Sequence, residues 1–467
     1  MDFQRIDELH DIGYNRTISM MDSIKSRIHR RVNLDNIRLR RMVYRSNFPE
    51  LRFKNIIIDG ANPQQQAYMK KEFHKSDNKE FTYEDLKQGY FRLLSDKMIS
   101  EIIPHAIYNP EDDTYDLHLK VKLENNFAVR LGGNISTSNS NQIYLGLSYQ
   151  DLNYYAKEFI LDGQLGKVYN NVQFMAKIDF ATAIPTSYRL IGSISTFDYF
   201  KKDKLFSRNN KPAFNQKDER FLKLQVGLPF LSSKRAEFGV GIARIEDKYF
   251  QKSVIDFGND KFDKSRYDLF GGSISFNGST LNSKQYPTRG YREALVAQIF
   301  VGKERFYPGE GSTTSNNKDH HSWLQLSYMK EKYHNMSEHW VLGWYLKALY
   351  ASKNFSENYT ATMMQAGEFS PTLHSKLTYN EAFRANQFVG AGIRPIYRLS
   401  QMFHLRGEFY GFMPIYPIEK NSLNKAYYGK AFSKFEYLGE ISVVCQLPFG
   451  DISAYVNHYS SPKREWN

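Results

Sequence analysis

Segments of about ten residues with alternating apolar and polar side chains recur along most of this chain. In one of them, MFHLRGEFYGF at residues 402–412, Phe403, Leu405 and Phe409 fall on one side of an extended strand. The other side carries a row of polar side chains, namely His404, Arg406, Glu408 and Tyr410. Such a strand must have very different surroundings on its two faces.

The length and number of these segments indicate which surroundings they have. About fifteen segments lie between Phe127 and Tyr459, whereas strands of globular proteins cluster at about five or six residues. A tilted strand of about ten residues crosses an apolar band of about 25 Å, and closure into a barrel leaves no unpaired edge in lipid. The pattern predicts a mainly β chain, with a transmembrane antiparallel β-barrel over residues 126–467 and its polar rows facing the lumen.

Composition excludes several other classes of protein. Aromatic residues make up 15% of the chain although mean hydropathy is −0.58, and no apolar run approaches the roughly 18 residues of a spanning helix. The net charge is +13, but Lys and Arg are scattered and no nucleic-acid motif is present, so nucleic acid is not an expected partner. One cysteine, Cys445, excludes an internal disulfide. A soluble β-rich binding protein stays open as an alternative.

The first 125 residues have a different organisation. Residues 1–31 show helical spacing, which predicts two short helices or one helix broken at Gly13, and the basic segment 32–52 reads as an irregular linker. Residues 53–125 predict a small α+β module in the order strand, helix, helix, strand, strand. Pro63 suits a first helical position and Thr82 suits an N-cap.

Three stretches resemble parts of one bacterial architecture. The module FKNIIIDGANPQQQAYMKKEF…YDLHLKVK resembles a POTRA domain, with Gly60 after its first strand, and LNSKQYPTRGYREALVAQIF resembles the Pro-x-x-Gly strand start of Omp85-type (bacterial surface antigen D15-like) barrels through Pro287 and Gly290. The stretch IDELHDIGYNRTISMMDSIKSRI resembles the last helices of the patatin domain in fusions ordered patatin, POTRA, barrel. Together the three stretches imply this order over nearly the whole chain.

The resemblance also implies an arginine in the lumen. Omp85-type barrels share a loop motif of the form Val-Arg-Gly-Phe, and in EAFRANQF the Arg is matched by Arg384 while Ala385 replaces the Gly. Because a lumen arginine needs a partner, Glu408 or Glu440 on later strands is the expected carboxylate. The alternative is a solvated loop arginine.

Both ends of the chain depart from the family pattern. The first residues have neither a basic start nor an apolar run, so no signal peptide is recognised. The resemblance implies sixteen strands and a terminal aromatic residue, but the chain stops at SSPKREWN, within an expected final hairpin turn. We therefore expect a fragment that lacks its last strand and a catalytic patatin domain.

No catalytic residue, cofactor or metal site is expected within this chain. Patatin-type hydrolases use Gly-x-Ser-x-Gly, which does not occur here. Asp59-Gly60-Ala61 matches the family's Asp motif in letters only, since it lies at the first strand turn of the module and has no nucleophile to serve. His320, His321, His334 and His339 lack metal-site spacing.

These observations lead to a non-catalytic membrane unit as the expected function. The resemblance implies the barrel and POTRA portion of a patatin-like phospholipase in a Gram-negative outer membrane, which anchors or exports a lipid acyl hydrolase. Expected partners are outer-membrane lipids, the barrel assembly machinery and a periplasmic polypeptide that adds a strand to the module. The alternatives are a stand-alone Omp85-like surface antigen or assembly or translocation factor, and a passive pore.

Overall fold

A computed structural model describes residues 6–28, 33–46, 49–73, 80–136, 141–180, 184–199, 215–231, 233–251, 261–310, 312, 317–448 and 450–460. Three exposed helices begin the chain, α1 (Ile6–Ser19), α2 (Met21–Arg27) and α3 (Leu34–Ser46). Within these ranges no helix combines the length and apolar character needed to cross a membrane.

Two expectations for this region are corrected. The break between the first helices lies at Met20 rather than at Gly13, because a single glycine in a helix costs only about 1 kcal/mol and the hydrogen bonds continue across it. The segment 32–52 is not irregular throughout, since α3 occupies its centre. Asn33 Oδ1 accepts the backbone N–H of Asp35 at 2.9 Å and so helps to start this helix.

An α+β unit follows, with the predicted order of strand, helix, helix, strand, strand and one element that the sequence did not predict, a two-residue strand between the helices. It consists of β1 (Arg52–Asp59), α4 (Pro63–Lys71), β2 (Phe81–Thr82), α5 (Tyr83–Leu94), β3 (Ile99–Asn109) and β4 (Thr114–Leu123). The sheet order is β2-β1-β4-β3, with β1 parallel to β4. Thr82 and Asp85 form a capping box at the start of α5, and Asn62 caps α4 with Pro63 at its first position.

The core of this unit includes two residues from outside it. Met69, Leu93 and Leu119 are almost fully buried at its centre, and Leu152 and Ala156 pack into the same cluster. These two residues flank the turn 153–155 between β6 and β7. The unit is therefore docked on the large sheet through a shared apolar core.

Within the described ranges, fifteen strands form one antiparallel sheet in which each strand pairs with its neighbours along the chain. They are β5 (Phe127–Asn134), β6 (Gln142–Leu152), β7 (Ala156–Gly166), β8 (Tyr169–Phe180), β9 (Thr186–Tyr199), β10 (Asn215–Phe230), β11 (Lys234–Tyr249), β12 (Asp263–Ser279), β13 (Gly290–Tyr307), β14 (Asn317–Asn335), β15 (Trp340–Ala351), β18 (Gln387–Arg398), β19 (Phe403–Pro414), β22 (Glu436–Leu447) and β23 (Gly450–Tyr459). Elements that interrupt this sequence lie in two long connections. These are α6 (Tyr359–Gln365), β16 (Gly367–Glu368), β17 (Arg384–Ala385), β20 (Ile418–Lys420) and β21 (Ala426–Tyr428).

Alternate residues of the sheet face opposite environments, as the sequence predicts. In β19, Phe403, Leu405 and Phe409 are 42–48% exposed, whereas His404 and Arg406 are 3% and 1% exposed. The sheet curves so that the polar rows face inward, around the connection 352–386. The architecture is thus a large β-barrel with an apolar outer wall and a polar, filled lumen. Residues 461–467, where the final hairpin turn was expected, lie outside the described residues.

Candidate functional site

The connection between β15 and β18, residues 352–386, folds into the lumen, and we call it the plug. Its helix α6 is fixed to the wall at both ends. At the start, Asn358 Nδ2 donates to the hydroxyl of Tyr249 at 2.7 Å, and at the end Gln365 Nε2 donates to Asp247 Oδ2 at 2.6 Å. Both wall residues are 0% exposed. The helix is therefore part of the barrel interior rather than a surface loop.

A second set of polar contacts holds the first residues of the plug. The hydroxyl of Tyr267 lies 2.8 Å from Ser356 Oγ and 3.0 Å from Glu304 Oε1, and Glu304 Oε2 lies 2.8 Å from His321 Nε2. Glu304 and His321 are each 2% exposed. Since buried polar groups must be hydrogen-bonded to be tolerated, this network specifies one position for the plug.

Lys353 is a buried cation at the base of the plug. Its Nζ donates to Gln365 Oε1 at 3.1 Å and lies 4.6 Å and 5.1 Å from the ring centres of Trp323 and Tyr267. The two aromatic faces stabilise the charge through cation–π interactions. The ammonium group thus joins two strands of the wall, β12 and β14, to the plug helix.

Arg384 pairs with Glu368, and the expectation of Glu408 or Glu440 as its carboxylate is wrong. Arg384 Nη2 lies 2.6 Å from Glu368 Oε2, and Nη1 donates to the carbonyls of Met364 and Ala366 at 3.4 Å. Glu368 and Arg384 are direct cross-strand partners in the hairpin β16–β17, so the pair forms within the plug itself. The alternative of a solvated arginine is also wrong, because Arg384 is 7% exposed.

Glu408 belongs to a separate ion cluster on the wall. Arg406 Nε donates to Glu408 Oε1, and Arg394 Nε lies 3.5 Å from Glu408 Oε2. Arg394 also pairs with Glu331, and the Tyr333 hydroxyl accepts from both arginines. Two cations and two carboxylates therefore balance in a buried cluster, which is the condition for burying charge.

Glu440 faces the lumen beside this cluster but takes no part in it as an ion pair. It is the cross-strand neighbour of Glu408 on one side and of Asn457 on the other. Glu440 is 6% exposed and Asn457 0%. Within the described part of the chain, Glu440 Oε2 and both amide atoms of Asn457 have no hydrogen-bond partner. This end of the sheet therefore carries an uncompensated polar row.

Pro287 and Gly290 lie at the connection between β12 and β13. The backbone carbonyl of Pro287 accepts from Arg406 Nη1 at 2.8 Å. Gly290 has a φ of +94°, and a Cβ there would lie 2.1 Å from the carbonyl oxygen of Thr280. Only glycine fits this position, which begins the 18-residue strand β13.

A cavity of about 900 Å³ opens between the α+β unit and the barrel wall. Glu72 and Arg92 line it from the unit, and Lys157, Arg189 and Glu237 line it from the wall. Glu237 accepts from Arg189 Nη2 at 2.5 Å and from Gln225 Nε2 at 2.9 Å. The lining is mixed in charge and combines these charged side chains with apolar ones such as Met98 and Phe180.

Several residues of the site carry no motif that sequence reasoning could use. Glu331, Tyr333 and Arg394 are placed inward by alternation, but their mutual contacts depend on the register of β14 with β15 and of β15 with β18. Glu368 lies in a segment without periodicity. Across the described ranges, no group of three or more His, Cys, Asp or Glu side chains has a geometry that could hold a metal ion.

This geometry defines the class of the protein. It is an antiparallel β-barrel with an apolar exterior and a lumen that is filled by a plug and lined by ion pairs. The chain has the fold of BamA from Haemophilus ducreyi lacking POTRA domains 1–3, with a TM-score of 0.58 at 12% identity over 89% of this chain and 82% of that one. It is also similar to CdiB from Acinetobacter baumannii, with a TM-score of 0.51 at 8% identity over 89% and 72% of the two chains.

The fold is therefore that of the BamA and CdiB barrels, with a small α+β region before it. No protein-family model matches the sequence, and no curated protein matches it. At identities of 8–12% the likeness concerns the fold alone.

Proposed function

We propose that this chain is the outer-membrane anchor and export unit of a larger protein in a Gram-negative bacterium. Residues 126–467 form the membrane barrel and residues 53–125 a POTRA-type unit on the periplasmic side. The observation that carries the proposal is the plugged barrel itself: its apolar outer wall suits lipid, while its lumen is filled by residues 352–386.

The three N-terminal helices support an attached domain. Within α1 and α2, Leu9, Ile12, Ile18 and Ile24 are 37–56% exposed, and no residue of α2 or α3 is buried. Apolar side chains at helical spacing ordinarily pack against a partner. We propose that residues 1–31 are the tail of a patatin-like lipid acyl hydrolase domain, and that residues 32–52, including α3, connect this domain to the POTRA-type unit.

The experiment that tests this proposal is to read the gene through both ends of the reading frame. Continuation upstream into Gly-x-Ser-x-Gly and an Asp-Gly-Gly or Asp-Gly-Ala motif would support a membrane-anchored hydrolase. A stop codon followed by a start that encodes a signal peptide close to Met1 would overturn the hydrolase and leave a stand-alone barrel.

A stand-alone assembly or translocation factor is the second candidate, and the exposed edge of the α+β sheet favours it. Strand β3 is an edge strand of 11 residues, on which Ile103, Ile107 and Tyr108 are 37–52% exposed. Such an edge can accept a strand from another polypeptide. Photo-crosslinking from position 107 would capture unfolded outer-membrane polypeptides in this case, whereas position 111, in the adjoining turn, provides the control.

A passive pore is the function that the geometry disfavours. The plug is fixed to β11, β12 and β13 through Asp247, Tyr267 and Glu304, all of them buried. The hairpin β20–β21 packs on α6 through Ile418. We therefore expect low single-channel conductance from the purified chain in planar bilayers, and a large steady conductance would restore the pore.

A further inference from the structure

The connection between β12 and β13, residues 280–289, reaches across to the last strands of the sheet, and we call it the strap. The hydroxyl groups of Tyr286 and Ser453 on β23 lie 2.7 Å apart, and Gln446 on β22 donates its side-chain amide to the Tyr286 carbonyl at 3.1 Å. Arg406 on β19 donates to the Pro287 carbonyl at 2.8 Å. The strap thus joins the middle of the sheet to its C-terminal end.

Burial shows that the tip of the strap is inside the molecule. Tyr286 and Thr288 are 7% and 8% exposed, whereas Lys284 and Gln285, next to them in sequence, are exposed. Successive strands run antiparallel, so the β12–β13 connection lies at the same end of the barrel as the β6–β7 turn. The α+β unit packs against the residues that flank that turn, Leu152 and Ala156. The strap tip therefore covers the mouth of the barrel that faces this unit.

The base of the strap is built to be rigid. Asn282 Oδ1 accepts the backbone N–H groups of Thr288 and Arg289, each at 3.0 Å. Gly290 admits no side chain beside Thr280, and Leu281 packs against a small cluster that includes Tyr333 and Ile396. These bonds tie the tip residue Thr288 to the base through Asn282.

The contacts of the tip, in contrast, are few and individually weak. Four contacts reach it from the wall: the hydroxyl pair, the Gln446 amide bond, the bond from Arg406 to the Pro287 carbonyl, and a bond from Arg398 Nη2 to the Thr288 carbonyl at 3.4 Å. Each exchanges readily for water, with a net contribution of about 0.5–3 kcal/mol. Two of the four end on β22 and β23, the last strands of the sheet, and the two arginines lie on β18 and β19. A displacement of β23 away from the wall removes the Tyr286–Ser453 contact directly.

We propose that the strap is a releasable latch that closes the unit-side mouth and is held shut by the position of the last two strands. The arrangement makes closure of the mouth conditional on β22 and β23 being in place. The inference rests on the contacts of residues 280–289 and not on an attached hydrolase, so it stands or falls separately from the proposed function.

The test measures how fast the buried tip becomes accessible. A cysteine is introduced as Thr288→Cys in a Cys445→Ala background of the full chain, refolded in detergent, and its labelling by a water-soluble maleimide is followed. The cysteine removes the bond from Asn282 Nδ2 to Thr288 Oγ1 at 3.1 Å in every protein compared, so each variant is measured against this parent. Adding Tyr286→Phe or Ser453→Ala should speed labelling about tenfold, the change that about 1.4 kcal/mol produces. Tyr291→Phe is the matched control. It also removes a tyrosine hydroxyl, but this hydroxyl bonds to Ser233 Oγ at 2.6 Å rather than to a residue of the strap tip.

Gln446→Leu tests the latch if Tyr286→Phe fails to fold. This substitution removes the hydrogen bond to the Tyr286 carbonyl by changing its donor on β22, and it leaves Tyr286 itself unchanged. Folding of each variant is verified by its faster migration in unheated gel samples. Labelling rates equal to the Tyr291→Phe control in every latch variant would refute the latch. Acceleration by Tyr286→Phe but by neither Ser453→Ala nor Gln446→Leu would refute its dependence on the last two strands.

Discussion

Glu368 and Arg384 face each other across the two-residue strands β16 and β17, with Oε2 and Nη2 2.6 Å apart. The arginine side chain is 5% exposed and also lies over the ring of Tyr379. This pair closes the plug on itself and thereby fixes the shape of the segment that fills the lumen.

Breaking this pair should loosen the plug. We expect Arg384→Ala to destabilise the folded barrel by about 1.5–3 kcal/mol, because it removes the charge-assisted bond to Glu368, whose side chain is 27% exposed, and the donor to the carbonyls of Met364 and Ala366. Urea unfolding of the refolded protein measures the change. Arg305→Ala is the control, since Arg305 lies 3.7 Å from Asp268 and is 41% exposed. Equal effects of the two substitutions would contradict a special role for Arg384.

Substitution of Gly290 should damage the start of β13. Gly290→Ala places a methyl group 2.1 Å from the Thr280 carbonyl oxygen and forces a φ of +94° on an L side chain. The backbone strain alone costs at least about 1–2 kcal/mol. Gly163→Ala on β7 meets only a carbonyl at 3.8 Å and should be close to neutral. Comparison of the two urea midpoints tests the difference, and a neutral Gly290→Ala would mean that the strap base is adaptable.

The orientation of the wall predicts opposite outcomes for two adjacent substitutions on β13. Ile299 is 57% exposed on the apolar exterior, and Gln298 faces the lumen, where it lies 3.3 Å from Gln325. Ile299→Arg should lower stability in lipid vesicles by about 2–4 kcal/mol, whereas Gln298→Arg should cost much less. Urea titration in vesicles separates the two variants. Similar losses would argue against a lipid-facing exterior.

Truncation of Leu152 should weaken the attachment of the α+β unit. This side chain is 1% exposed in the shared core, so Leu152→Ala should cost about 2–5 kcal/mol. Leu161→Ala, on the same hairpin but 46% exposed on the exterior, is the control. Amide hydrogen exchange in β1 and β4 reports the loss, and protection unchanged by Leu152→Ala would show that the unit is stable without the turn.

Glu72 should make the α+β unit less stable at neutral than at acidic pH. Burial raises the pKa of Glu72, Arg92 at 3.8 Å opposes this rise, and Asp96 adds to it. A folded pKa above the unfolded value gives a contribution that is full below about pH 4.5 and is lost as pH rises through the folded pKa. Glu72→Gln should therefore gain stability relative to the natural sequence as pH rises from 4 to 7.

Urea unfolding of both proteins at several pH values measures this gain. Glu111→Gln, in the exposed turn between β3 and β4, is the control for a general effect of removing one negative charge. A difference between Glu72→Gln and the natural sequence that stays constant with pH would contradict the assignment.

The sequence predicts the strands and their faces well because side-chain alternation follows directly from strand geometry. About fifteen segments were expected, and fifteen strands form the sheet. In MFHLRGEFYGF each inward and outward position is as the pattern indicates. The two helices of the α+β unit were also accessible, since Pro63 and Thr82 mark their starts, but the two-residue strand β2 between them was missed.

Contacts inside the lumen could not be predicted in the same way. The partner of Arg384 depends on a hairpin of two-residue strands that leaves no periodic signal, so Glu368 was missed. Helix α3 was missed because its four arginines obscure any apolar face, while its cap, Asn33, lies outside the helix. Long-range contacts such as Tyr286 with Ser453 join residues 167 positions apart, a relation that no local pattern encodes.

The insertion of Leu152 and Ala156 into the core of the α+β unit has a mechanical consequence. Turning the unit on residues 124–126 would draw Leu152 into water, at a cost of about 1.5–3 kcal/mol. A torque applied to the unit is therefore delivered to β6 and β7 together, next to the first strand of the sheet. A rotation of the α+β unit is thus coupled to a movement of the hairpin formed by β6 and β7 in the barrel wall.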